Sequence, residues 1–107
     1  MSGDIPERDW KQLRSFKPEM LNDLCERINK KAEKLINSND KNEHEKYIEL
    51  YRYINDADRT VALCFDDWRR SNIRTRMLAL LTNDLLTDEH IEELSDEGKR
   101  IIELFRS

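Results

Sequence analysis

The chain has little of the material that sheets, tight turns and ligand-cradling loops require. Its 107 residues include only two glycines and two prolines. That is too few for a series of tight hairpins or for a glycine-rich phosphate-binding loop. Between Glu19 and Glu97 neither residue occurs. This scarcity predicts an all-α protein.

Cysteine and long apolar segments are equally scarce. Cys25 and Cys64 are too few and too far apart for a zinc knuckle or a disulfide framework, so we expect two reduced thiols in the core. The sequence has no apolar run of about 18 residues, as a membrane span would need. It also lacks the basic start and short apolar segment of a signal peptide. These observations predict a cytoplasmic protein that does not span a membrane.

Neither charge sign dominates. The chain has 19 basic and 23 acidic residues and a net charge of −4, so binding to nucleic acid or an anionic membrane would need a local basic patch. Hydrophobic residues make up 37% of the chain and aromatic ones 7%, a thin supply for the core of a self-sufficient monomer. The composition is typical of helices whose apolar stripes need a partner.

The apolar residues that are present recur at three- and four-residue spacing, which predicts helices. Asp4 before Ile5 and Pro6 predicts a helix start, with the proline in the first turn. Because Pro18 removes a backbone donor, we expect a short helix, a kink or turn at residues 16–18, and a long helix ending near Asn37. The stripe of this first segment comprises Trp10, Leu13, Leu21, Leu24, Cys25, Ile28, Ala32, Leu35 and Ile36.

Residues 37–40 (Asn-Ser-Asn-Asp) predict a polar loop, because such side chains bond to their own backbone. Asn42 with Glu45 predicts a capping box at the start of a second long helix. Two long helices joined by a short loop form an antiparallel hairpin with coiled-coil spacing. The second stripe comprises Tyr47, Leu50, Tyr51, Ile54, Ala57, Val61, Cys64, Phe65 and Trp68.

Beyond Trp68 the apolar residues move to the opposite side of the helical wheel. Either the helix breaks near Ser71 and Asn72, or one continuous helix offers a second apolar face to a partner. We favour the continuous helix, because no glycine or proline marks a break. The second face is then a candidate interaction surface, covered either by another subunit or by the C-terminal helices. The residues of this surface are Arg70, Ile73, Arg74, Met77, Leu80, Leu81 and Leu85.

Two hydroxyl residues near the end of the chain stand before acidic pairs. Thr87 precedes Asp-Glu, and Ser95 does the same, an arrangement that caps helix N-termini and complements their dipoles. We therefore expect two short helices to close the chain. Residues 1–107 are interpreted as a single helical domain.

Four arginines at positions 69, 70, 74 and 76 form the sharpest charge cluster. They could face phosphates, which makes a small regulator contacting nucleic acid the alternative function. No Lys, Asn or Gln follows at the spacing expected of a DNA-reading surface. We favour a rim that pairs with acidic side chains of a neighbouring helix.

The acidic, histidine and aromatic residues give little indication of a metal, catalytic or ligand site. Four aspartates, Asp56, Asp58, Asp66 and Asp67, raise a third hypothesis, an all-α enzyme, but their spacing does not suit a shared metal ion. We expect Asp58, at the edge of the apolar stripe, to form a salt bridge with Arg14 or Lys17. His44 and His90 fall in predicted first turns, and the tyrosines and tryptophans lie at core and rim spacing. We predict no catalytic, metal or cofactor residue.

Several stretches together resemble a family of small uncharacterised bacterial all-helical proteins. They span most of the chain: residues 9–14, 24–28, 44–47, 65–71 and 85–89. The resemblance implies an all-helical fold and no activity. Such proteins would have a glycine before the Leu-Leu-Thr step, where this chain has Asn83 and Asp84.

The thin core and the second apolar face lead to the main functional hypothesis. We expect a non-enzymatic helical protein–protein interaction module that self-associates as a homodimer, with a further protein partner left open. Salt-dependent retention on DNA would favour the nucleic-acid alternative. Stabilisation by a divalent ion would favour the enzyme.

Overall fold

The computed structural model describes residues 5–107, which form five α-helices. The predicted all-α hairpin with short C-terminal helices is confirmed. Across residues 5–107, no helix is both long enough and apolar enough to cross a membrane. The helices are α1 (Glu7–Ile36), α2 (Glu43–Phe65), α3 (Ile73–Thr82), α4 (Asp88–Glu92) and α5 (Asp96–Arg106).

The first long helix differs from its prediction, because α1 continues through Pro18. Pro18 is exposed, whereas Leu13, Phe16 and Met20 on both sides of it are buried in the core. Burial of this continuous apolar stripe outweighs the one helical hydrogen bond that proline removes. Pro6 is the N-cap rather than a first-turn residue, and the proposed cap Asp4 lies outside the described residues.

The hairpin forms as expected. α1 ends at Ile36 and α2 begins after Asn42, whose side-chain oxygen accepts from the Glu45 amide at 2.8 Å. The Glu45 carboxylate accepts from the backbone amide of Asn42 at 3.1 Å, which completes the capping box.

The continuous second helix is wrong, because α2 ends at Phe65 and a turn over residues 66–72 separates it from α3. Asp67 takes the left-handed conformation, with φ of 52°. The Asn72 side chain accepts from the Arg69 amide and donates to the Asp67 carbonyl. The helix thus ends without glycine or proline, because Asn72 supplies side-chain partners for the backbone and Asp67 takes a conformation that glycine usually adopts.

The core lies at one end of the hairpin, which we call the base. In α1 the buried residues run from Asp9 to Leu24, and α2 contributes Cys64 and Phe65. The apolar faces of the three later helices complete this core. Residues 25–58, which we call the arm, project from the base, and the described chain measures 53 × 26 × 24 Å.

A buried carboxylate joins α1 to α5. Asp9 has no exposed surface, and its two oxygens accept from the Ser95 amide at 2.7 Å and the Ser95 hydroxyl at 2.6 Å. The Ser95 hydroxyl oxygen in turn accepts from the Gly98 amide, so Ser95 caps α5 as predicted. The negative charge lies at the positive end of the α5 dipole, which stabilises it there.

Arg27 fixes the turn between α3 and α4 against α1. Its guanidinium donates to the carbonyls of Asn83 and Asp84, each at 2.8 Å, and to the Asp23 carboxylate at 2.7 Å. Asp84 has φ of 55°, the conformation for which glycine was expected. The base is therefore closed at this end by one side chain of α1.

Candidate functional site

The predicted interaction surface on α3 lies mostly inside the chain's own core. Ile73, Met77, Leu80 and Leu85 are buried, and Leu81 is half-buried against the same core. α3 contacts α2 and α5, so helices of the same chain cover this face. The expected intersubunit surface is therefore wrong. Its apolar residues belong to the core of one chain, in agreement with the alternative that the C-terminal helices cover them.

The arginines next to this face have partners within the chain. Arg70 forms an ion pair with Glu7 of α1 and lies over the Trp10 ring, 5.5 Å from its centroid. Arg69 pairs with Asp67 at 2.9 Å within the turn. The two others are half-buried, and Arg76 donates to the Leu63 carbonyl at 2.8 Å. The Glu7 contact agrees with the predicted rim, whereas Arg69 pairs locally.

The aspartates do not form a shared site. Among residues 5–107, no three His, Cys, Asp or Glu side chains meet in an arrangement that could hold a metal ion. Asp58 is exposed, so its expected buried-edge salt bridge is wrong. The two expected partners instead lie over tryptophan rings of the base, Lys17 over Trp68 and Arg14 over Trp10.

An acidic groove of about 490 Å³ runs between α1 and α4, where the His90 ring packs against Phe16 with 4.4 Å between the ring centroids. His90 is only 8% exposed, and its Nδ1 accepts from the Thr87 amide at 3.0 Å as part of the α4 capping box. Its Nε2 lies 3.7 Å from the Glu19 carboxylate. The histidine therefore has a structural role at the start of α4. Carboxylates line the groove at Glu19, Asp23, Glu26, Glu89 and Glu93.

Four of the exposed large apolar residues lie on the arm. Ile36 of α1 is 52% exposed, and Tyr47, Tyr51 and Ile54 of α2 are 63%, 60% and 42% exposed. Ile36 and Tyr47 line one small groove, so the two helices contribute to a single surface. We call these four residues the arm face. Three further leucines are exposed outside the arm, on α2, α3 and α5 respectively: Leu63, Leu78 and Leu104.

The arm face points away from the rest of the core. Arg27 and Tyr53 mark the opposite side of the hairpin, since both line a groove with Asn83 at the end of α3. At about 100° per residue, Ile36 lies about 180° from Arg27 around α1. By the same spacing Tyr51 lies about 160° from Tyr53 around α2. The later helices therefore leave the arm face uncovered.

Two polar contacts order the tip of the arm. The Ser38 hydroxyl donates to the Asp40 carboxylate, and this hydrogen bond lowers the pKa of Asp40. Lys41 donates to Glu49 of α2, and that hydrogen bond raises the pKa of Lys41. Both contacts favour the charged forms, and the second one attaches the loop to α2.

The sequence analysis predicted that the arm-face residues of α2 belong to one packed apolar stripe. In the structure only the part of that stripe in the base is buried. A signal was present in α1. Beyond Ile28 its corresponding side contains Asn29, Ala32 and Ile36, too little apolar surface to cover two tyrosines and an isoleucine. Helical periodicity alone does not show which part of a stripe finds a partner.

Comparison of the chain with protein-family models, with curated proteins and with solved structures finds no match. The resemblance to small bacterial all-helical proteins therefore stays a prediction.

Proposed function

We propose that this protein is a non-enzymatic helical protein–protein interaction module that self-associates through the arm face. One observation carries the proposal. Four large apolar side chains are exposed together on the two helices of the arm, whereas the base has a complete core without them. Exposed apolar residues grouped in this way mark association sites more often than single ones do.

A second copy of the chain suits this surface. Two arms packed face to face would form a four-helix bundle, the arrangement that covers one apolar side of each hairpin. Tyr47 and Tyr51 suit the edges of such an interface, because the ring can be buried while the hydroxyl stays in water. The pairing would be a coiled-coil-like homodimer.

Less supports the nucleic-acid alternative. Arginines of this cluster are engaged with an ion-pair partner or a backbone carbonyl of the same chain, as Arg69, Arg70 and Arg76 show. A phosphate would have to displace these contacts, against a net charge of −4. We further propose a cytoplasmic location, which the two free thiols support.

Light scattering over a concentration series tests the proposal. We expect the native chain to change from monomer to dimer as its concentration rises from low micromolar to several hundred micromolar. Ile54→Glu should abolish the dimer and keep the native helix content, because residue 54 does not belong to the base core. The matched control is Leu104→Glu, which changes an equally apolar and more exposed residue on α5 and should leave dimerisation unchanged. A native chain that stays monomeric throughout would overturn the proposal.

A further inference from the structure

Charged side chains of opposite sign border the arm face on its two helices. On α1 the outer edge carries Glu26 and Glu33, one heptad apart and about 60 to 80° beyond Ile36 around the helix. On α2 the outer edge carries Arg52 and Arg59, also one heptad apart and about 80 to 100° beyond Tyr51. All four charged residues are exposed. At these heights one edge of the arm face therefore carries two glutamates and the other two arginines, with Lys30 beside Glu26 and Asp58 beside Arg59.

The local partners of these charges are weak. Glu26 lies 3.9 Å from Lys30, and Arg59 lies 3.3 Å from Asp56, in exposed pairs on the same helix. Pairs of this kind contribute little to stability. They can therefore be exchanged for partners on another chain at small cost.

The register of the hairpin places the glutamates and arginines at matching heights. Lys31 of α1 lies over the Tyr53 ring of α2, 5.2 Å from its centroid, so residue 31 is level with residue 53. In this antiparallel register, Glu33 is level with residue 51 and Glu26 with residue 58. Each glutamate is therefore within one residue of an arginine, a difference of about 1.5 Å along the axis.

Two symmetric arrangements bring one arm face onto another. In the first, the two-fold axis lies in the interface and is perpendicular to the helices of the arm. The tips of the two arms then point in opposite directions, and each helix packs against the same helix of the second copy. Glutamates would then meet glutamates, and arginines would meet arginines. With the axis parallel to the arms, the tips point the same way and α1 packs against α2 of the second copy. Glutamates then meet arginines at both edges, and like charges across an interface are disfavoured.

We infer that two copies pair side by side with their tips pointing the same way, so that Glu33 and Glu26 of one chain meet Arg52 and Arg59 of the other. This inference rests on the proposed self-association and adds its orientation. The two-fold axis makes each contact occur twice, so a change in one pair is doubled in the dimer.

Charge reversal tests the orientation by sedimentation equilibrium at low salt. Glu33→Arg alone and Arg52→Glu alone should each weaken dimerisation by about tenfold, because each places like charges together twice. An equimolar mixture of the two variants should dimerise about as tightly as the native chain, since every contact in the mixed dimer again joins opposite charges. The matched controls are Glu103→Arg and Arg100→Glu, exposed residues of α5 outside the arm, and both should dimerise like the native chain.

The outcomes separate the orientation from the association itself. If Glu33→Arg tightens the dimer, α1 packs against its own copy, and the orientation is wrong although self-association stands. A mixture no tighter than the single variants would also overturn the orientation. If the native chain is monomeric at every concentration, both proposals fail.

Discussion

Replacement of Gly98 by alanine probes the buried link between α1 and α5. A Cβ atom at this position would lie 2.5 Å from Asp9 Oδ2 and 2.9 Å from Asp9 Cγ. Real Cβ atoms do not approach other atoms so closely, so the carboxylate would have to move. It is fully buried and held by the Ser95 amide and hydroxyl, which leaves it little room.

Two opposing effects set the magnitude. Alanine is favoured over glycine in a helix by up to about 1 kcal/mol. Displacing the carboxylate weakens two hydrogen bonds to a charged group, each of which contributes about 1.5 to 3 kcal/mol. Gly98→Ala should therefore lower the free energy of unfolding by about 1 to 3 kcal/mol. In an Asp9→Ala background the obstacle is absent, and Gly98→Ala should instead raise stability by up to about 1 kcal/mol.

Urea unfolding followed by circular dichroism measures this cycle of four proteins. The expected result is a change of sign, with a coupling energy of about 2 to 4 kcal/mol between positions 9 and 98. A Gly98→Ala change that stabilised the native chain, or that had the same effect in both backgrounds, would contradict a tight contact between positions 9 and 98.

Three further predictions concern the base. Arg27→Met should cost about 1 to 2 kcal/mol, as charge-assisted bonds to the carbonyls of the α3–α4 turn are lost from a half-exposed site. Leu24→Ala should cost about 2 to 5 kcal/mol because Leu24 is buried, and Val61→Ala about 1 kcal/mol because Val61 is half-buried and loses fewer carbons. Burial raises the pKa of the Cys64 thiol, so the unfolded chain ionises first and stability should fall as pH rises above the ordinary thiol range.

Urea titrations check all three, each with its own comparison. Lys30→Met is the control for Arg27→Met, since Lys30 is more exposed and near-native stability is expected. Equal costs at positions 24 and 61 would contradict the burial of α1 in the base. For the thiol, Cys64→Ala should show a smaller loss of stability between neutral and alkaline pH than the native chain. Parallel pH profiles would show that Cys64 does not contribute.

Local signals in the sequence predicted most of the helices. The capping residues Asn42, Thr87 and Ser95 all accept the hydrogen bonds expected of them, because an N-cap depends only on residues within one turn. The polar loop at 37–40 likewise separates α1 from α2. Contacts of this range are encoded locally and can be deduced from spacing alone.

The errors arose where distant parts of the chain decide the outcome. Pro18 was expected to interrupt α1, but burial of its neighbours keeps the helix continuous. No role was predicted for Asp9, because only the fold brings it to Ser95. One local signal was available: Gly98 stands inside a predicted helix, where glycine is unfavourable unless another group approaches closely. The turn at Asp67 could also have been suspected from the Asp-Asp pair at 66–67 and the Ser-Asn pair at 71–72.

The thin apolar supply of the chain accounts for where its uncovered surface lies. The α3 face was predicted to bind a partner. It is instead needed to complete the core, because α1 and α2 alone bury few residues at the base. The shortage therefore appears at the other end of the hairpin, where Ile36 is the one large apolar residue that α1 has beyond Ile28 on the side of the α2 stripe. Few buried residues connect the base with the arm. Substitutions on the arm face should therefore change association and leave folding intact. Substitutions at Asp9 or Arg27 should change folding first and association only as a consequence.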